Sequence, residues 1–204
     1  SAHQQFGRCV ALAHQGGFGR IEVANLHMVG WTAHALCRFD EALDTATRCL
    51  ELAREVAHRR VEMISLALAG YVGGWMLGDL EAGQRGIRAC LTLAQTLGAR
   101  RFEAQGQVYL AQFALRAGDR ELARQLAAQA LDFCRLHAMA FFGPVALGLV
   151  ARLEDDPRRR AGLHADAQAL LAAGAVSHCH LEYHNHAIDG ALERGDWDAA
   201  LSRV

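Results

Sequence analysis

Lysine is missing from this chain: all 21 of its fixed cations are arginines, in 204 residues. A phosphate-binding loop of the Walker type needs its lysine, and a Schiff-base mechanism needs an amine nucleophile, so both are excluded. Proline occurs twice and aromatic residues make up 7%. With few β-branched residues and an abundance of Ala and Leu, this scarcity of chain-breakers predicts an all-helical protein. No apolar run is long enough to span a bilayer; the longest, 64–77 and 138–151, are also interrupted by glycine or proline. No secretory signal is visible. Neither charge dominates: the net charge is −1 and the pI about 6.8, which favours neither nucleic acid nor an anionic membrane as partner. The six cysteines form no C-x-x-C pair. Cys9, Cys49 and Cys90 are almost evenly spaced, which reads as one packing position in successive repeats and, as free thiols, suits a reducing cytoplasm.

What the chain does contain is a period. A short turn signal returns at Arg38-Phe39-Asp40-Glu41, Gly78-Asp79-Leu80-Glu81, Gly118-Asp119-Arg120-Glu121, Asp155-Asp156-Pro157-Arg158 and Gly195-Asp196-Trp197-Asp198. Its interval is constant except for the step to Asp155, which is slightly short. Units of this size cannot bury their own apolar faces and must stack on neighbours. The prediction is an all-α, right-handed solenoid of antiparallel helix pairs, TPR-like with repeats of about 40 residues. It forms one domain over 1–204 with about five pairs, and is read as a fragment of a larger multidomain protein.

Within each unit a first helix follows the Gly-Asp turn. In 41–57 the residues Ala42, Leu43, Ala46, Cys49, Leu50, Ala53 and Val56 fall at three- and four-residue spacing, one face of an amphipathic helix, with the acid beside the glycine as N-cap. First helices are expected near 4–15, 41–57, 80–97, 120–136 and 158–173, with a further one begun after 197. Second helices are expected near 20–37, 60–77, 101–117, 140–153 and 177–194, the fourth kinked or broken by Gly143-Pro144.

Candidate binding residues follow from repeat equivalence. Arg20, Arg60 and Arg101 open successive second helices, as do Glu22, Glu62 and Glu103. Dipole complementation and capping account for them, and the arginines also offer a polar edge to an acidic partner segment. Trp31 and Tyr71, one period apart, and Tyr109 are the aromatics placed nearest that edge. Packing accounts for them too, and their clustering marks the groove beside the second helices as an interaction surface. The richest polar segment is Ser177-His178-Cys179-His180-Leu181-Glu182-Tyr183-His184-Asn185-His186. His180 and His184 lie on one helical face and are candidate metal ligands, with Cys179 or His178 as a third; Glu182 and His186 share another face. Leu181 stands where the hydrolytic zinc motif requires glutamate. No nucleophile elbow surrounds Ser65, Ser177 or Ser202, and Gly16-Gly17-Phe18-Gly19 has no strand before it, so no catalytic residue and no cofactor is assigned.

The stretch Gly174-Ala175-Val176-Ser177-His178, with Tyr183, Ala187-Ile188 and Ala191-Leu192-Glu193-Arg194-Gly195-Asp196-Trp197-Asp198, resembles the C-terminal helical-repeat region of a bacterial signalling family. Its members join a class III adenylate/guanylate cyclase domain, an AAA-type ATPase domain and tetratricopeptide-like repeats. The Gly-Asp and Leu-Gly-Ala-Arg turns extend the resemblance over most of the chain. It implies a non-catalytic, cytoplasmic regulatory region that binds a protein partner or another domain of its own polypeptide, with no direct role for nucleic acid or membrane. A small-molecule effector domain of an ATP-dependent transcription activator is the alternative, and a metal-responsive module using His180 and His184 a second.

Overall fold

The computed structural model describes residues 1–203, except the side chain of Ser177. Eleven α-helices and no strand occur among the described residues: α1 Ala2–Gln15, α2 Gly19–Ala35, α3 Phe39–Glu55, α4 Arg59–Tyr71, α5 Leu80–Thr96, α6 Arg100–Arg116, α7 Arg120–His137, α8 Met139–Leu153, α9 Pro157–Ala172, α10 Ser177–Glu193 and α11 Trp197–Leu201. A π-helical turn, Val72–Met76, extends α4. The expected helices are therefore present in the expected order, as an all-α, solenoid-like repeat of consecutive helix pairs. The chain divides into two compact units, Ser1–Ala99 and Arg100 onward, where the sequence suggested no internal boundary.

The helix ends explain the period. Gly17, Gly78, Gly98, Gly118, Gly174 and Gly195 all adopt positive φ, as do the non-glycine residues Cys37 and Ala57. These positions fall between successive helices, at the close of one and before the start of the next. At seven such ends the next amide reaches back five positions: Phe18 to the Ala13 carbonyl, Arg38 to Ala33, His58 to Ala53, Ala99 to Ala94, Asp119 to Ala114, Ala175 to Leu170 and Asp196 to Ala191, at 2.7–3.3 Å. This is the Schellman closure, which satisfies carbonyls the helix leaves open. The acceptor is a buried alanine at six of the seven and the half-buried Leu170 at the other.

Helix starts follow the expected chemistry in four places. Asp79, Asp119, Asp156 and Asp196 each accept a hydrogen bond from an amide of the first turn, at 2.8–3.1 Å. The first repeat differs. Arg38 is the N-cap of α3 and makes no side-chain cap bond, and Asp40 lies inside the first turn, where its charge still suits the dipole. α8 also corrects an expectation: it runs unbroken through Pro144. The carbonyl that the proline leaves without its amide is that of Ala140, in the first turn, where the helix has the most freedom to adjust.

In the first unit α1 packs on α2, α2 on α3, α3 on α4, and α4 with its π turn on α5. Val23, Leu26, Cys49, Ala53 and Val61 form one apolar cluster, and Ala33, Ala42, Ala46, Leu68 and Val72 a second. In the other unit α6, α7, α8 and α9 pack in succession. α10 then lies chiefly against α8 and only lightly on α9.

Candidate interaction groove and buried polar network

The repeat-equivalent glutamates are buried or half-buried, and each has a side-chain partner besides the helix dipole. Glu62 accepts from Arg59 at 2.6 Å and Arg54 at 3.2 Å; Glu103 accepts from Arg100 at 3.2 Å. Glu22 pairs with His14. An arginine at the first helical residue lies one turn from the glutamate on the same face, whereas Arg60 and Arg101, one residue later, are rotated about 100° away. Arg20 donates to the carbonyl of Val56 at 3.4 Å, closing over the end of α3 rather than the helix before it. Arg60 is exposed. Arg101 is also exposed and spreads over the rings of Phe141 and Phe102, at 5.3 and 5.5 Å.

The aromatics sit deeper than an interaction edge requires. Tyr71 is 2% exposed and Tyr109 fully buried, which corrects their placement on an open surface. The ring of His34 lies 5.5 Å from Tyr71 and 5.7 Å from the half-buried Trp31, so the two repeat-equivalent aromatics meet through it.

The histidine segment is divided by the turn of α10. His180 is exposed and His184 half-buried. Burial, then Arg203 and His180, lower the pKa of His184. Cys179 faces α8, donating to the carbonyl of Phe141 at 2.9 Å, and His178 packs on Phe141 and Phe142. The two candidate third ligands thus point away from His180 and His184. Among the described residues no group of three or more His, Cys, Asp and Glu side chains is placed to hold a metal ion. The Ser177 side chain, part of the same segment, lies outside the described atoms.

Glu182 and His186, by contrast, enter the interior. Tyr109 donates to Glu182 Oε1 at 3.4 Å and itself accepts from Gln105 at 3.0 Å. Gln112 Nε2 lies 2.6 Å from His186 Nε2, so with the amide donating the imidazole carries its proton on Nδ1. All five side chains are at most 3% exposed. Burial pushes Glu182 up to about 8 and His186 down to about 3, the latter assisted by Arg152. Both groups are therefore uncharged at neutral pH. α6 and α10 are second helices two repeats apart, and through these bonds they meet directly. Repeat units ordinarily touch only their neighbours. Here the face between α6 and α10 is occupied by the chain's own side chains. The buried thiols of Cys90, Cys134 and Cys179 are pushed up to about 12 by burial, which removes them as nucleophiles at neutral pH.

An open groove of about 500 Å³ lies instead between α6 and α7. Leu110, Leu126, Phe133 and Leu136 make its apolar wall, and Gln107, Gln129 and Asp132 its polar rim. α7 already buries Ala123, Ala127, Ala130, Leu131 and Cys134. The groove residues form a second apolar stripe at 126, 133 and 136, in a helix otherwise satisfied by the first. The sequence signal was available, in leucines recurring beside the alanine stripe of 120–136. It was missed because a wide apolar face reads as one core.

Fold and geometry define the class: an all-α, solenoid-like repeat protein whose second unit carries a buried polar network and an open apolar groove. No protein-family model matches the chain, and no curated protein matches it. Among solved structures it is similar to the crystal structure of BtubC (BKLC) from P. vanneervenii, with a TM-score of 0.65 and 15% sequence identity. That similarity covers 99% of this chain and 86% of the other. At this identity it shows a shared helical fold.

Proposed function

We propose that this chain is a non-catalytic interaction domain of a cytoplasmic signalling protein, regulating an attached cyclase/ATPase module by holding a helical segment of its own polypeptide. The observation that carries this reading is the groove between α6 and α7. Its apolar wall of Leu110, Leu126, Phe133 and Leu136 with a polar rim matches what an amphipathic helix presents at i, i+3, i+4 and i+7. Leu136 is 77% exposed, an arrangement that favours a covering partner over solvent. The attached module is suggested by the resemblance around Gly195-Asp196-Trp197-Asp198. Groove occupancy would act by differential binding to two states of that module.

The test is nucleotide cyclisation by the complete native polypeptide carrying Leu126→Glu and Leu136→Glu, with circular dichroism confirming that the helices persist. A change of threefold or more, on the order of 0.7 kcal/mol of coupling, is expected. An unchanged rate sinks the groove reading, and an open reading frame without cyclase or ATPase modules removes the attached-module part.

A further inference from the structure

A second concavity lies between α9 and the α10–α11 turn, and its chemistry is different. Because α10 packs on α8 and only lightly on α9, the last helix pair is separated by a cleft of about 310 Å³. Ala161, Ala165, Ala187, Ala191 and Ala199 line its walls, and Arg160, Arg194 and Arg203 converge on it beside His164. Among the ion pairs of the described residues none involves these three arginines. Arg160 donates to the backbone carbonyl of Glu154 at 3.0 Å, and Arg203 to the hydroxyl of Tyr183 at 3.4 Å. His164 contacts that hydroxyl at 3.1 Å. Asp196, the acid that lines the cleft, is engaged as the N-cap of α11. Glu193, nearby, is held by Arg152 and Arg120.

Three guanidinium groups against one occupied carboxylate leave the cleft with an excess of two positive charges. Burial, and next Arg160, lower the pKa of Arg194, while Glu193 and Asp196 act in the opposite direction. His164 is pushed down to about 4 by burial and then by Arg203, Arg194 and Arg160, and stays neutral. A dianion with three acceptor oxygens matches that excess and the forked donors better than a single carboxylate does. The alanine walls suit an apolar body attached to it.

We propose that this cleft binds a small phosphomonoester, its phosphate held by Arg160, Arg194 and Arg203 and its organic group against the alanines of α9 and α10. The site is independent of the α6–α7 groove, and it would serve as an effector site whether or not that groove holds a helix.

Phenyl phosphate is the probe, titrated calorimetrically into the 204-residue protein in phosphate-free buffer, with inorganic phosphate and phenol as separate arms. One-to-one binding that weakens with added salt is expected. The Arg160→Gln/Arg194→Gln double variant should weaken it by roughly tenfold or more, while Arg135→Gln, whose arginine pairs with Asp132 elsewhere on α7, should leave it unchanged. Inorganic phosphate should bind more weakly and phenol not measurably. No heat from phenyl phosphate at about 1 mM, or equal affinity in the folded double variant, overturns the site. Phosphate binding as tightly as the ester overturns the assignment to an organic ester.

Discussion

Cys37 and Ala57 hold left-handed backbone conformations, with φ of 57° and 51°, at helix ends where six other turns use glycine. A side chain with a Cβ is strained in that region by about 1–2 kcal/mol. Cys37→Gly and Ala57→Gly should therefore each stabilise the protein by roughly 0.5–1 kcal/mol, the gain in backbone strain exceeding glycine's added unfolded-state entropy. Urea unfolding should show a raised midpoint at unchanged slope. An unchanged or lowered midpoint would mean the turn tolerates the side chain without strain. Glu182 is the other residue whose environment sets its chemistry. Its carboxyl is protonated at neutral pH, so Glu182→Gln keeps the charge and shape of the native form. The variant should match the wild type near pH 4.5 and become progressively the more stable protein from there up to about pH 8.

Between elements, α4 and α5 approach so closely that small residues are obligatory. A Cβ at Gly70 would lie 3.0 Å from the Gly83 carbonyl and 3.1 Å from the Ile87 amide, and one at Gly86 would lie 3.1 Å from the Gly70 Cα. Backbone cannot give way as a flexible side chain can. Gly70→Ala should cost about 1–3 kcal/mol despite alanine's better helix propensity, read as a lowered melting temperature. Gly7 is the control: no atom lies near its Cβ position, so Gly7→Ala should raise stability slightly. The same element logic separates α7 from its neighbours. Its alanine stripe forms the helix contact, and the leucines beside that stripe line the groove.

For the molecule as a whole, buried titratable groups set the pH dependence of folding. His27 and His164 are pushed down to about 4 and His186 to about 3, chiefly by burial. Between those values and 6.5 the unfolded chain binds more protons than the folded one at these sites, so stability rises with pH. Glu182 works in the opposite direction. Its folded pKa of about 8 lies above the ordinary 4.5, so across that window the folded chain holds the extra proton and stability falls as pH rises. Three histidines outweigh one glutamate below about pH 6.5, and the glutamate acts alone above it. Thermal unfolding should show maximum stability near pH 6.5, with a decline toward pH 8 that Glu182→Gln abolishes. A decline that persists in the variant would assign it to other groups.

The architecture was legible in the amino-acid sequence because each repeat announces its helix ends locally. Asp79, Asp119 and Asp196 cap the helices that follow them, and the Schellman closures that end the helices before them span only a few positions of chain. Pairing and period follow from those short-range rules. Which side chains face one another came only from the packed molecule. That Arg59 and Arg100, rather than Arg60 and Arg101, hold the glutamates depends on a rotation of one residue about the helix axis. That Tyr109 reaches Glu182, and Gln112 reaches His186, depends on how closely α6, α8 and α10 pack, a distance no local signal encodes. The arginine-lined cleft exists because α10 settled on α8 rather than α9, a choice made by the summed packing of both helices.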